Sequence, residues 1–170
     1  ALYHSVSGTI DELTADTKHL GAKVGYICVL HTWGSEMNYH PHIHVILLGG
    51  GLTAKNQWRD KGEEFFLPVK VISKLFRGKY MAELKALYEA KKLQFHGSSE
   101  KYHNCYAFKE LLNICYEKEW VPHCKKTFNG AQSVINYLGK YTHRIAISNH
   151  RIIRMDENTV TYHVKDYRDE

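Results

Sequence analysis

Two histidines one residue apart, His42 and His44, stand at the head of an apolar run, and a third, His31, lies eleven positions before His42. On a β-strand alternate side chains share a face, so His40, His42 and His44 present their rings on one side. Ile43, Val45 and Leu47 line the other. A pair of imidazoles on one face offers two ligands to a single divalent ion and needs a third. His31 supplies it if segments 22–33 and 42–48 form an antiparallel hairpin, because opposed residues then share a face. A turn centred between Glu36 and Met37 sets His31 against His42, and one centred between Met37 and Asn38 sets it against His44. A turn centred on Met37 itself would send the ring to the wrong side. His40 shares the face of the pair, but Pro41 places it in the turn, and Glu36 is a weaker alternative. Imidazole suits zinc, copper, nickel and iron, and a histidine site that also receives phosphate oxygens holds Mg or Mn.

A second group of reactive side chains lies near the other end. In residues 131–144, AQSVINYLGKYTHR, Tyr137 and Tyr141 are four apart, hence neighbours on one face of a helix. Lys140 and Arg144 fall on the same stripe, beside an apolar face formed by Ala131, Val134, Ile135 and Leu138. A phenol titrates near pH 10 and attacks poorly at neutral pH unless cations or a polarised phosphate assist it. Both aids are at hand if the tyrosine stripe meets the histidines.

The charge pattern agrees with an anionic partner. The chain of 170 residues has a formal net charge of +5. Between Glu119 and Asp156 no acidic residue occurs, whereas Lys125, Lys126, Lys140, Arg144, Arg151 and Arg154 all do; the stretch from Met37 to Arg59 is also free of acids. Two stretches can therefore face phosphate. Trp33, Trp58 and some of the twelve tyrosines could stack exposed bases. The length suits one self-sufficient domain, and the four cysteines, Cys28, Cys105, Cys115 and Cys124, have neither zinc-finger nor secreted disulfide spacing, which fits a reduced, intracellular setting. No apolar run reaches the ~18 residues that span a bilayer, which argues against a membrane partner.

The elements that must position these groups are read as follows. A short amphipathic helix falls within 7–20, and strand 22–33 leads through a longish loop, 34–40, into strand 42–48. An irregular linker containing Trp58 follows Gly49–Gly51, whose bare backbone would let DNA or a neighbouring segment approach. Pro68 introduces helix 69–93 with a break at Gly78, then comes helix 108–116 and a short strand at 120–124. A turn at 127–130 opens the tyrosine helix, 131–144, and a hairpin of 145–154 with 159–164 closes the chain. Strands and helices mix without βα alternation, which gives an α+β class with an antiparallel sheet.

His42-Ile-His44 with Tyr137-xxx-Tyr141 resembles the two-tyrosine HUH nucleases. His31-Thr-Trp-Gly34, the run from Pro41 to Ile46 before Gly49–Gly51, Phe76-Arg-Gly78 and the run from Tyr137 to Arg151 are similar to the rolling-circle transposases of the insertion sequence ninety-one family. The resemblance implies an HUH endonuclease fold, a central antiparallel sheet flanked by helices with the tyrosines on a helix. It also implies a metal-dependent single-stranded DNA nuclease and strand-transferase acting at element ends through a 5′-phosphotyrosine and a free 3′-OH. His42 and His44 would be metal ligands and Tyr137 and Tyr141 nucleophiles; His31 as third ligand rests on the hairpin argument and a similar spacing in conjugative relaxases. Lys140, Arg144, Lys125 and Lys126 would hold the DNA backbone. Single-tyrosine relatives use a Gln on the tyrosine helix as third ligand, but Gln132 points away from Tyr137. The family's cysteine-rich region is missing from these residues, so residues 1–170 are expected to be one nuclease domain excised from a longer protein. Replication initiators and relaxases share the chemistry. His40-Pro-His42-Ile-His44 is also similar to the histidine triad of nucleotide hydrolases, which needs no metal, although Pro41 sits where that pattern wants a larger apolar residue.

Overall fold

In the computed structural model, residues 1–62, 67–125, 131–142 and 147–164 are described, with the side chains of 132–136, 138 and 139 within the helix that begins at Ala131. The chain is α+β. In order, it forms α1 (Leu2–Ala15), β1 (Lys23–Trp33), β2 (Tyr39–Leu52), β3 (Trp58–Asp60), α2 (Val69–Glu89), α3 (Cys105–Glu117), α4 (Ala131–Thr142), β4 (Ile152–Met155) and β5 (Val160–Tyr162). One antiparallel sheet has the order β1-β2-β3, and β4 pairs antiparallel with β5. The chain divides into two compact units, residues 1–26 with 47–126, and 27–46 with 127–170.

In the first unit Leu20, Ala22 and Val24 form a buried cluster against which Leu47 packs, so the apolar run of β2 does turn one side to a core. α1 packs on α2, with buried Ile10 and Leu13 on one helix and Met81 on the other, and a Lys79–Glu12 ion pair of 2.7 Å at the margin. α1 starts earlier than its pattern suggests, at Leu2, and Leu20 lies beyond its end although it is buried. Pro68 caps α2 as expected, its fixed φ suiting the helix entrance. Gly78 does not break α2: helix packing on either side outweighs the ~1 kcal/mol by which glycine disfavours a helix. Asn104 caps α3, its side chain accepting from the backbone N–H groups of Tyr106 and Ala107 at 2.9 and 3.2 Å. The ring of Phe108 in α3 stacks on Tyr88 of α2, centroids 3.9 Å apart. Segment 120–124 is not a strand. Its Trp120 instead packs against Phe76 and Tyr80, with its backbone carbonyl accepting from Ser73, and these contacts replace ladder bonds.

The sheet itself departs most from expectation. β2 runs on through the three glycines to Leu52, and the supposed linker turns back as β3, pairing Gly50 with Asp60, Gly51 with Arg59 and Leu52 with Trp58. Asn56, at φ 56°, takes the left-handed position of the connecting turn, a conformation asparagine tolerates. The glycines serve neighbouring segments. A Cβ on Gly51 would strike the Lys23 carbonyl, and one on Gly50 would lie 2.6 Å from the Trp58 ring, whereas one on Gly49 would meet nothing within 4 Å.

Gly51→Ala is therefore expected to destabilise the protein by about 1–3 kcal/mol, as overpacking does. Gly49→Ala should be neutral or stabilising by ~0.5 kcal/mol, since an unconstrained glycine weakens a strand. Urea denaturation of the two variants measures the contrast, and equal effects would contradict the packing at Gly51.

Candidate functional site

The three histidines are brought together. β1 delivers His31, which is buried, and β2 delivers His42 and His44, both half-buried. One ligand nitrogen from each lies within 4.8 Å of the others. The ring of His31 sits edge-on to His42 at 5.5 Å and to His44 at 4.6 Å between centroids.

The turn that makes this possible is neither of the two centrings expected. Gly34 accepts at its carbonyl from the Met37 N–H and donates its own N–H to the Asn38 carbonyl, so the turn is tight and β2 begins at Tyr39. Met37 takes φ 60°, the bulge position after a four-residue turn. Continued residue by residue from Gly34 and Asn38, the pairing would set His31 opposite Pro41 and turn its ring away. Because the rings do meet, the strict alternation of facing is broken between the turn and the histidines, in an interval that on β2 contains Pro41, which has no N–H to give a ladder. His40 is therefore in the strand and not in the turn, exposed, with its ring 5.1 Å from that of His42.

The hydrogen bonds of the cluster assign its lone pairs. Nδ1 of His42 lies 2.7 Å from the His40 carbonyl, which can only accept, so this nitrogen carries the proton. In the neutral ring Nε2 of His42 then bears the lone pair, and it lies 3.1 Å from Nε2 of His44. Two nitrogens at right angles about one ion, each ~2.1 Å from it, are about 3.0 Å apart, so this pair already has the spacing of neighbouring ligands. The carbonyl behind His42 is the kind of outer support that orients ligating imidazoles. Burial, and then the neighbouring His31 and His42, push the pKa of His44 down to about 4, which keeps that ring neutral at physiological pH. The donor set fits a divalent metal.

One residue next to the site was not singled out as part of it. Trp33 stacks on His31 with centroids 4.9 Å apart and planes within 12°. Its position two after His31 on the same strand was the available signal, since that spacing puts both rings on one face. Trp33 and Trp58 could both stack exposed bases; one face of Trp33 rests on His31, and Trp58 is 59% exposed, its indole N–H bonded to Asp60 at 2.9 Å.

α4 carries positions 137 and 141 one turn apart. The side chains of Tyr137, Lys140 and Tyr141, and residues Lys126 and Arg144 altogether, lie outside the described residues. Lys125 is exposed. Gln132 bonds Asn136 along the helix at 3.1 Å. Two cations of the acid-free stretch have other partners: Arg154 lies 3.7 Å from Asp156, and Arg151 donates to backbone carbonyls. Among the described residues no helix is long and apolar enough to cross a membrane.

Comparison with known proteins places the chain in a class. A family described as "Putative transposase" matches residues 25–170, and the chain belongs to this family of transposases, of the insertion sequence ninety-one and IS801 type. It is 39% identical over 168 residues to a protein named "Putative transposase y4qJ" from Sinorhizobium fredii, covering 98% of this chain and 42% of that protein. It is 25% identical over 142 residues to the transposase for insertion sequence element IS801 from Pseudomonas savastanoi pv. phaseolicola, covering 84% of this chain and 33% of that one. The chain thus spans less than half the length of these relatives. No solved structure matches it.

Trp33 gives the histidine cluster a built-in reporter. Added Co or Cu should quench its emission with saturation, Trp33→Phe should remove the quenched component, and His42→Ala with His44→Ala should abolish saturation. Quenching unchanged in the histidine double variant would show that the metal binds elsewhere.

Proposed function

We propose that this chain is the metal-dependent, single-stranded DNA nuclease and strand-transferase domain of a rolling-circle transposase. The observation that carries this reading is the convergence of His31, His42 and His44 into one donor cluster, in a transposase-family chain whose helix α4 bears two tyrosines one turn apart.

His31, His42 and His44 would hold Mg or Mn. The ion supplies Lewis acidity toward the scissile phosphate. The chain's own groups do the rest. The hydroxyl oxygen of Tyr137 or Tyr141 attacks phosphorus and gives up its proton to solvent. The bond from phosphorus to the 3′ oxygen breaks, and that oxygen leaves with the electron pair and takes up a proton as a free 3′-OH. The DNA is left joined through its 5′ phosphate to tyrosine. Attack by a 3′-OH on this ester restores the phenol and rejoins strands without external energy, and the second tyrosine allows two strands to be handled in turn. Lys140, Arg144, Lys125 and Lys126 hold the phosphate backbone, and the charge they supply makes binding salt-dependent. The site of action is the bacterial cytoplasm, at the nucleoid.

The test is an adduct assay with labelled single-stranded hairpin oligonucleotides in Mg or Mn. Denaturing gels should show a covalent protein–DNA band that is lost in the Tyr137→Phe, Tyr141→Phe double variant and lowered at least ~100-fold by His42→Ala. Peptide mapping then identifies the linked tyrosine. Full adduct in the double variant, or metal-free turnover of a nucleotide that depends on His42 and on neither tyrosine, would overturn the reading in favour of another nucleophile or of a histidine-triad hydrolase.

A further inference from the structure

Arg151 ends the run Ser148-Asn-His-Arg151, within a stretch whose lack of acids reads as a surface for phosphate. The structure uses its charge internally. Nε and Nη2 donate to the His163 carbonyl at 2.9 and 2.7 Å, and Nη2 donates also to the Ser35 carbonyl at 2.8 Å. The guanidinium lies 5.7 Å from the centre of the Tyr162 ring. The Tyr162 hydroxyl in turn donates to the Glu36 carbonyl at 3.0 Å. A backbone bond from the His163 N–H to the Arg151 carbonyl, 2.8 Å, ties the two ends of the β4–β5 hairpin together.

Ser35 and Glu36 are the two central residues of the turn that joins the histidine-bearing strands. That turn is weakly specified by its own sequence. Met37 stands in a left-handed conformation that a glycine or asparagine would adopt more readily, and the facing set by the Gly34–Asn38 bond must change before His42 for the three rings to meet. We propose that Arg151 and Tyr162 are positioning residues, a clasp that holds the 34–37 turn and thereby sets His31 against His42 and His44. The planar fork of arginine suits this task, because it bonds carbonyls of two segments at once while its face rests on an aromatic ring; lysine offers neither. The inference rests on the proposed metal centre for its functional meaning, and on the hairpin geometry for its structural content.

Arg151→Met, Arg151→Lys and Tyr162→Phe test it in two ways. In metal-free protein, the imidazole resonances of His31, His42 and His44 should move in Arg151→Met while far-UV circular dichroism stays that of the wild type. In Mn titrations followed by calorimetry, Arg151→Met should weaken binding about tenfold, as loss of outer support does at metal sites, with Arg151→Lys no better and Tyr162→Phe affected less. Unmoved imidazole resonances, or wild-type Mn affinity in Arg151→Met despite a lowered melting temperature, would overturn the clasp and leave a purely structural contact. Wild-type protein that binds no Mn, with the resonances still moved in Arg151→Met, would instead reject the metal centre and keep the clasp.

Discussion

The 3.1 Å approach of two imidazole nitrogens across one residue of β2 is the constraint on which the rest of the site depends. Two neutral rings tolerate that distance only if one donates a hydrogen bond to the other or an ion lies between them. The His40 carbonyl decides which nitrogen of His42 holds the proton, and so leaves a lone pair directed at His44. His31 has to arrive on the same face from another strand. Strand geometry permits that in only one of two parities, so the turn, the change of facing before His42 and the contacts that hold the turn all answer to the same requirement.

Sheet construction shows a comparable economy. A strand that pairs on both sides and carries three successive glycines loses side-chain packing there, yet Gly50 and Gly51 are what allow β3 and the Lys23 backbone to approach. Trp58 covers Gly50 and keeps more than half its surface in solvent. The stabilising apolar burial of this unit lies elsewhere, in the Leu20, Ala22 and Val24 cluster and in the aromatic contacts between α2 and α3. Helix propensity yields to such packing at Gly78, where α2 continues unbroken.

Charge in the acid-free stretch likewise serves the structure. A stretch of sequence free of carboxylates does not by itself make a binding face. Arg151 and Arg154 belong to that stretch, but the first is engaged by carbonyls and a tyrosine ring and the second lies beside Asp156. Lys125 is exposed. Family membership rests on similarity over residues 25–170, and the histidine geometry adds the convergence of three side chains within that span.

Much of this was legible in the residues alone. The period-two spacing of His42 and His44 determines a shared face on any strand, and the four-residue spacing of Tyr137 and Tyr141 determines neighbourhood on any helix, because backbone geometry is common to all proteins. The α+β class, the β1–β2 hairpin and the closing β4–β5 hairpin follow from the same periodicities. Only the tertiary structure decided that His31 completes the cluster although the turn is tighter than either expected centring, that β2 runs on through its glycines to a third strand, and that Trp33 and Arg151 serve the histidine hairpin. Each of these depends on contacts between residues distant in sequence, Ser35 with Arg151 or Gly51 with Lys23, and local pattern does not encode which distant group arrives.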